Sequence, residues 1–335
     1  MTTTRIRLGL VAAALLAAAH AAGQTAEYVR TLKVSVSILP QAYFVERVGG
    51  THVDVQVLVG PGLSPHTFEP TPKQLAALAD ARAYFRVGVD FEEALVPRLT
   101  GLFPKLRIVD TRAGVPLRRF AAQEAACEHA GHDHGEAPGR PDPHIWLNPL
   151  LVKTQAQTIC DTLCTLDAAR ADEYRSNLAA FQADLDRVHA QLAAALAPLK
   201  GREVFVFHPA FGYFTDAYGL RQTPVEIEGK EPTARQLQTL IARARAADVK
   251  VIFVQPQFSK KAAQTVAEAI GGVVAPLDDL ARDYLANLTD IAAKIEAAQP
   301  NLRRQSGAGG RVAPLGARPT TCVVGSDRSP AAGAG

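Results

Sequence analysis

Short apolar runs alternate with amphipathic helical stretches along most of this 335-residue chain, and the alternation occurs in two series. Runs rich in β-branched and aromatic residues predict strands in the first series at 33–38, 53–59, 83–87 and 106–109, and in the second at 203–207, 223–227, 249–254 and 273–276. Helices are predicted between them, at 41–48, 72–79 and 91–102, and then at 210–218, 233–246, 260–270 and 283–298. This alternation predicts parallel sheets covered by helices on both faces.

A stretch without glycine, from 168 to 199, separates the two series, and its only proline is Pro198. Its apolar residues recur every three or four positions, which is the spacing of an amphipathic helix. At about 1.5 Å per residue the helix is roughly 45 Å long. A coiled-coil dimer would show a similar stripe, but this stripe is short and strand–helix alternation resumes directly after it. We therefore predict an α/β monomer of two lobes, each a mainly parallel sheet flanked by helices, joined by one long rigid helix.

The N-terminal segment has the order of a secretory signal peptide. Arg5 and Arg7 precede an apolar run at 8–19, and small residues follow through Gly23. The run is shorter than the roughly 20 residues that span a bilayer, which disfavours a membrane anchor. We predict a cleavable signal peptide at 1–23 and secretion of the remaining chain. The remaining chain is then interpreted as a first lobe at 24–165, a linking helix at 166–199 and a second lobe at 200–299.

Basic charge is concentrated at the two ends of the chain. Arg5 and Arg7 contribute +2, and the segment 300–335 contributes +4 from five arginines and Asp327. Subtracting this net +6 from the formal net charge of +3 leaves −3 for the predicted lobes, which does not favour binding to nucleic acid. The segment 300–335 is rich in glycine, alanine, proline and arginine, so we expect it to be disordered.

The chain has four cysteines, and an oxidising compartment permits disulfides. Cys160 and Cys164 are spaced for one face of a helix, where a bond between them would be strained. Cys127 is the more plausible partner for one of them, whereas Cys322 lies in the C-terminal tail. None of the four has the paired spacing of a zinc–thiolate site.

Three histidines occur next to or near proline, at predicted turns: His66, His144 and His208. His66 follows the strand at 53–59, and His208 follows the strand at 203–207. Ligands of open parallel sheets bind beyond the carboxyl ends of strands, and imidazole is the commonest side-chain ligand of zinc and related metals. A structural role would suit any one of these histidines. Their joint placement predicts a metal site shared between the lobes, with an aspartate after the strand at 273–276 as a further ligand.

Several motifs resemble those of the periplasmic zinc- and manganese-binding proteins of bacterial metal ABC transporters. They are Ser64-Pro65-His66, Asp142-Pro143-His144-Ile145-Trp146-Leu147-Asn148-Pro149, Phe207-His208-Pro209-Ala210-Phe211-Gly212, Glu228-Gly229-Lys230-Glu231-Pro232 and Val254-Gln255-Pro256-Gln257-Phe258-Ser259. The resemblance covers roughly 33–298. It implies a periplasmic location and one metal ion bound between two lobes. The ion is then delivered to an ABC permease in the inner membrane, which a separate ATPase powers.

The resemblance also implies the ligands His66, His144 and His208, with Asp278 favoured over Asp279 as the fourth. Three imidazoles and one carboxylate suit tetrahedral Zn²⁺, whereas Mn²⁺ prefers more oxygen ligands. We therefore expect zinc as the transported ion.

The segment 127–136 is rich in histidine and has no apolar periodicity. His129, His132 and His134 predict an auxiliary zinc-binding loop, although a solvated loop with incidental affinity has the same composition.

Other functions on this fold are a metal-binding adhesin and a periplasmic zinc chaperone. A metallohydrolase is disfavoured, because the chain has no His-Glu-x-x-His sequence and catalytic zinc keeps a position open for water. The chain also has no Walker A sequence, so we expect no ATP hydrolysis and no enzymatic activity.

Overall fold

The computed structural model describes residues 31–120, 139, 141–226 and 233–299. These residues form two four-stranded sheets in which every neighbouring pair of strands is parallel. The first sheet has the order β2-β1-β3-β4 and contains β1 (Leu32–Ile38), β2 (Val53–Val59), β3 (Ala83–Arg86) and β4 (Arg107–Asp110). The second has the order β6-β5-β7-β8 and contains β5 (Glu203–Val206), β6 (Arg221–Pro224), β7 (Val251–Val254) and β8 (Val273–Pro276).

Nine α-helices accompany the strands within the described ranges. Those of the first half are α1 (Leu39–Gly49), α2 (Pro72–Asp80), α3 (Phe91–Leu102), α4 (Pro149–Leu166) and α5 (Ala171–Leu196). Those of the second half are α6 (Gly212–Ala217), α7 (Ala234–Ala246), α8 (Lys261–Ala269) and α9 (Tyr284–Ala297). The predicted α/β class, with two parallel sheets flanked by helices and one long helix between them, is confirmed.

Strand β1 lies inside the first sheet and is buried on both faces. Val34, Val36 and Ile38 are at most 1% exposed, and the alternate positions Ser35 and Ser37 are also buried. Burial on both faces is typical of parallel sheets, because crossover helices cover each side. The same arrangement in the second sheet buries Phe205 and Ile252. In open parallel sheets, ligands bind to the loops beyond the carboxyl ends of the strands.

The long helix α5 buries the stripe that its sequence predicted. Its buried residues are Tyr174, Leu178, Phe181, Leu185, Val188, Leu192 and Leu196. Short 3-10 turns at Ala168–Arg170 and Ala197–Leu199 extend it at both ends. The helix packs against α1, α4 and α9, so it is supported by other helices on its buried side.

Helix α4 was not among the predicted helices. Asn148 caps its N-terminus by accepting a hydrogen bond from the Leu150 N–H at 3.0 Å, and Pro149 occupies the first turn. Both are common start signals of a helix. Cys160 and Cys164 lie on this helix as free thiols with their sulfur atoms 3.9 Å apart. Burial, together with the neighbouring Cys164, raises the pKa of the Cys160 thiol to about 12.

Helix α9 packs against helices of the first half. Tyr284 contacts the Phe44 ring edge-on with centroids 4.8 Å apart, and its hydroxyl donates a hydrogen bond to the Trp146 carbonyl at 2.6 Å. The lobe boundaries near 165 and 200 stay a prediction, and α9 shows that the last part of the predicted second lobe contributes to the first-half core.

Four other predictions fall outside the described residues: the signal peptide at 1–23, the histidine-rich segment at 127–136, the tail at 300–335, and a disulfide involving Cys127. Among the residues that the structure does describe, no helix combines the length and the apolar character needed to cross a membrane.

Candidate metal centre

Three histidines from distant parts of the chain converge on one point. The Nε2 atoms of His66 and His208 are 3.0 Å apart, and those of His208 and His144 are 3.4 Å apart. Each of the three offers a ring nitrogen within 4.8 Å of the other two, and this group is the one set of metal-capable side chains found in the described ranges. We refer to His66, His144 and His208 as the histidine cluster.

His66 lies on the loop after β2. Gly62 has a φ of +73°, the left-handed conformation that favours glycine, and it is the third residue of the Gly60–Leu63 turn that precedes His66. Two residues beyond His66, the Phe68 ring packs edge-on against Phe91 at the start of α3, with centroids 5.0 Å apart. This contact holds the loop against α3, yet the His66 side chain keeps 19% of its surface exposed.

His144 immediately precedes a 3-10 turn, Ile145–Leu147, and is 2% exposed. Its backbone N–H donates to the Asp142 carboxylate at 3.0 Å. The Trp146 ring lies with its centroid 5.1 Å from that of the imidazole. These contacts fix the backbone and ring of His144 within the core.

His208 follows β5 and is 3% exposed. The side-chain amide of Gln255, just beyond β7, accepts from the His208 N–H at 3.2 Å and donates to the His208 carbonyl at 2.8 Å. The Phe258 ring stacks on the imidazole with centroids 5.0 Å apart. Adjacent parallel strands therefore position this histidine through both its backbone and its ring.

Each imidazole is paired with a carboxylate through Nδ1. The pairs are His66 with Asp90 at 2.8 Å, His144 with Asp142 at 2.7 Å, and His208 with Glu226 at 2.7 Å. An ionised carboxylate can only accept a hydrogen bond, so Nδ1 carries the proton and a neutral imidazole presents its Nε2 lone pair to the cluster. Three lone pairs at this separation repel one another unless a cation lies between them.

The spacing of the nitrogens suits a tetrahedral ion. Zinc–nitrogen bonds of roughly 2.05 Å at tetrahedral angles place two ligand nitrogens about 3.3 Å apart. The observed separations of 3.0 and 3.4 Å lie on either side of that value. The arrangement can therefore accept a small divalent ion with little movement of the rings.

Burial holds the pKa of His208 well below its usual value, and the charges of His66 and His144 lower it further. Metal binding requires an unprotonated imidazole. His208 is therefore ready to act as a ligand at neutral pH without first losing a proton.

The two candidate aspartates differ in their surroundings. Asp278 is partly exposed, and its carboxylate accepts a local hydrogen bond from the Leu280 N–H at 2.8 Å. Asp279 is 3% exposed, and burial raises the pKa of its carboxyl, while a hydrogen bond from Gln257 and the charge of His144 lower it. Neither aspartate belongs to the described histidine cluster as the rings now stand. Asp279 is the one with an electrostatic interaction with His144.

The carboxylates Asp90, Asp142 and Glu226 were not predicted as site residues. Asp142 lies two residues before His144 in the Asp142-Pro143-His144 motif, so its proximity to His144 could have been predicted from the sequence. Asp90 and Glu226 are separated from their histidines by 24 and 18 residues and follow no recognised pattern. Their pairing depends on where separate strands of the same sheet end: β2 and β3 on either side of β1, and the neighbours β5 and β6.

Comparison with known families matches residues 34–298 to the family described as zinc-uptake complex component A, periplasmic. The zinc-binding protein AdcA of Streptococcus pyogenes is 28% identical over 262 residues, which are 74% of this chain and 51% of that protein. The high-affinity zinc uptake system protein ZnuA of Bacillus subtilis is 29% identical over 251 residues, covering 74% of this chain and 78% of that protein. This chain thus spans about half the length of the streptococcal relatives.

Solved structures give the same picture. A crystal structure of ZnuA superimposes with a TM-score of 0.72 at 40% identity, covering 80% of this chain and 99% of that one. A zinc-bound deletion mutant of ZnuA superimposes with a TM-score of 0.72 at 41% identity, covering 81% of this chain and 100% of that one. The periplasmic zinc-binding protein TroA of Treponema pallidum shares the fold, with a TM-score of 0.69 at 23% identity, covering 80% of this chain and 99% of that one.

Proposed function

This chain belongs to the family of the periplasmic component A of zinc-uptake complexes, and from that premise we propose that it captures Zn²⁺ for import by an ABC transporter. The observation that carries this proposal is the convergence of three Nε2 atoms, each on an imidazole whose other nitrogen is paired with a carboxylate. The proposed ligands are His66, His144 and His208.

Zinc fits this donor set better than its competitors. All three ligand atoms in the cluster are imidazole nitrogens, which suit Zn²⁺, whereas Mn²⁺ and Mg²⁺ favour sites rich in oxygen. The carboxylates behind the rings make the imidazoles more basic and fix their orientation, which strengthens binding to a cation. We therefore propose Zn²⁺ as the cargo, with Mn²⁺ as the weaker competitor.

For the fourth ligand we favour Asp279 over the sequence-based choice, Asp278. The Asp279 backbone is held beside His144, because its carbonyl accepts from the Trp146 indole N–H at 2.7 Å. The Asp279 carboxylate accepts a hydrogen bond from the Gln257 amide at 2.9 Å, which fixes its orientation. A buried carboxylate is costly without a compensating charge, and Zn²⁺ would supply one. Asp278, by contrast, is partly exposed, so water can compensate the charge of its carboxylate without a metal ion.

Capture would begin at His66, the most exposed member of the cluster. The other two histidines are fixed in the core, so the loop carrying His66 is the part that can adjust around an arriving ion. Helix α5 packs against α1, α4 and α9, and α9 is tied to Trp146 through Tyr284. We therefore propose that metal binding moves the ligand loops locally and does not require a large hinge motion between the two sheets.

Delivery is proposed to a permease in the inner membrane, powered by a separate ATPase. The periplasm is the proposed location, and the chain is proposed to act as a monomer without enzymatic activity or nucleic-acid partners. The matched family, a periplasmic component of zinc-uptake complexes, supports the delivery to a permease and the periplasmic location. If deletion of the gene for this protein abolished zinc uptake and growth on low zinc, the proposed role in import would be supported. Intact uptake with lost surface attachment, or with lost loading of periplasmic zinc enzymes, would favour the adhesin or chaperone alternative.

The segment 127–136 is proposed as an auxiliary zinc site through His129, His132 and His134. Deleting 128–136 should leave one tight site and lower the total zinc bound at high metal concentration, because the two sets of ligands are separate. Isothermal titration of both proteins would measure the change. An unchanged stoichiometry would indicate an incidental solvated loop.

The direct test is metal analysis of protein purified without an affinity tag, followed by competition titration with Zn²⁺ and Mn²⁺. We expect one zinc ion per chain bound tightly. Preferential retention of manganese would overturn the choice of cargo. Tight binding of one zinc ion that survives replacement of all three cluster histidines by alanine would overturn the site.

A further inference from the structure

We infer that Arg118 is a positioning residue that sets the spacing of His144 and His208 before metal arrives. The inference rests on the proposed function, since it concerns how the same site reaches its affinity. Arg118 acts through Asp142 on one side and through helix α6 on the other.

The link to His144 runs through the two oxygens of one buried carboxylate. Arg118 Nη1 donates to Asp142 Oδ2 at 2.9 Å, while Asp142 Oδ1 accepts from His144 Nδ1 at 2.7 Å and from the His144 N–H at 3.0 Å. The Asp142 side chain is fully buried, and that of Arg118 is 17% exposed. The guanidinium therefore compensates the charge of Asp142 and fixes the plane of the carboxylate that orients His144.

The link to the second half runs through α6, which begins four residues after His208. Arg118 Nε donates to Asp216 Oδ2 at 2.9 Å, and the Arg118 backbone N–H donates to the Tyr213 hydroxyl at 2.7 Å. The same hydroxyl donates to the Asp142 carbonyl at 3.1 Å. The segments carrying His144 and His208 are thus joined by hydrogen bonds that involve neither imidazole.

An independent observation is the close approach of the guanidinium to Gly212. A Cβ atom at this position would lie 2.4 Å from Arg118 Nη1 and 2.5 Å from Cζ, both well inside contact distance. Only glycine leaves room for Arg118 to cross the start of α6. Gly212→Ala should therefore displace the guanidinium while leaving its charge in the protein.

The expected effect is on metal affinity more than on folding. A site whose ligands are already in place loses less freedom on binding, and groups behind the ligands typically change metal affinity by about 10- to 100-fold. Arg118→Gln should weaken zinc binding by about 10-fold or more, because it removes the group that orients Asp142. Gly212→Ala should weaken it in the same direction, and Asp216→Asn should weaken it less, because the Asp142 contact remains.

Arg47→Gln is the matched control. Arg47 is also a partly buried arginine, with its side chain 28% exposed, and it pairs with Asp184 at 2.6 Å between α1 and α5. It has no hydrogen bond to the histidine cluster or its carboxylates among the described residues. A loss of stability alone would affect this variant as much as Arg118→Gln.

The experiment measures zinc affinity by competition with a chelating dye, the melting temperature of the metal-free protein, and the visible spectrum of the Co²⁺-substituted protein. We expect weaker zinc binding and an altered Co²⁺ spectrum in Arg118→Gln and Gly212→Ala, with wild-type values in Arg47→Gln. In an Asp142→Asn background, Arg118→Gln should add little further loss. If Arg118→Gln does not fold, the Gly212→Ala and Asp216→Asn variants carry the same test.

The possible failures are distinguishable. Wild-type affinity and spectrum in Arg118→Gln and Gly212→Ala would overturn the inference and leave the zinc site standing. Equal losses in Arg47→Gln would also overturn it, because the effect would then be general. Absence of tight zinc binding in the wild type would instead overturn the proposed function itself.

Discussion

His208 and His66 meet at one point, but the two halves of the molecule hold them differently. His208 directly follows β5, its backbone is bound by the Gln255 amide, and its ring stacks on Phe258. His66 lies on a longer loop after β2, where its ring pairs with the partly exposed Asp90 and the loop is held by the packing of Phe68 against Phe91. The His208 side chain is 4% exposed and that of His66 is 19% exposed.

The difference shows how one site can combine affinity with access. A ligand fixed by a sheet loses little freedom when it binds metal, whereas a ligand on a partly exposed loop can move to admit and release the ion. His208 from the second half and His144 from the first therefore provide the fixed part of the centre, and His66 provides its entrance. Asp279 would add a further fixed ligand from the second half, beyond β8.

The largest expected effect is the loss of His208. At free zinc 1,000-fold above the dissociation constant, binding stabilises the folded protein by about 4 kcal/mol. His208→Ala should remove nearly all of this stabilisation, and His66→Ala should remove less, because water can replace a ligand more easily at the exposed position. Thermal melts with and without zinc would measure both. A larger loss in His66→Ala would reverse the assignment of fixed and adjustable ligands.

Asp279→Ala should have the next largest effect. We expect it to remove more than half of the roughly 4 kcal/mol of zinc stabilisation, whereas Asp278→Ala should leave most of it. The neighbouring aspartate serves as the matched control, since both variants lose the same side chain one residue apart. The reverse ranking in zinc-dependent melts would return the fourth ligand to Asp278.

The carboxylates behind the rings should show a smaller difference of the same kind. Glu226→Gln should weaken zinc binding by about 10- to 100-fold, because its buried carboxylate orients His208. Asp90→Asn should cost less, because the Asp90 side chain is 27% exposed and water can partly replace it. Competition titration would give both values. Equal losses would show that burial does not decide the contribution of these carboxylates.

The smallest expected effect is on the pH dependence of the metal-free protein. The pKa of His208 is lowered in the folded state, so between that value and the unfolded value of about 6.5 the unfolded chain binds more protons. Stability should therefore fall as pH drops below about 6.5, with no such cost above it. His208→Gln should flatten this part of the curve. Denaturant titrations of metal-free protein from pH 7.5 to 5.5 would test it, and an unchanged slope in the variant would contradict the assignment.

Local patterns in the chain were sufficient for most of the fold. The strands at Val53–Val59 and Val273–Pro276 and the helix at Phe91–Leu102 begin and end where the sequence predicts. Strand β6 begins two residues earlier than predicted and ends at Pro224 rather than 227. Beyond Pro224, the N–H groups of Val225 and Glu226 donate to the Phe207 carbonyl, just before His208. Helix α4 was missed because its start signals at Asn148 and Pro149 follow directly on a histidine motif.

The sequence by itself determined the alternation of strands and helices, the buried stripe of α5, and the three histidines at turns beside proline. Those features depend on periodicity and backbone preference over a few neighbouring residues. The tertiary structure decided which carboxylate stands behind each imidazole, which of two adjacent aspartates is buried, and that Arg118 reaches Asp216, 98 residues away. Such pairings depend on where separate strands end and on which side chains lose water together. A short stretch of the chain does not specify where a distant strand ends or which distant side chains are buried with it.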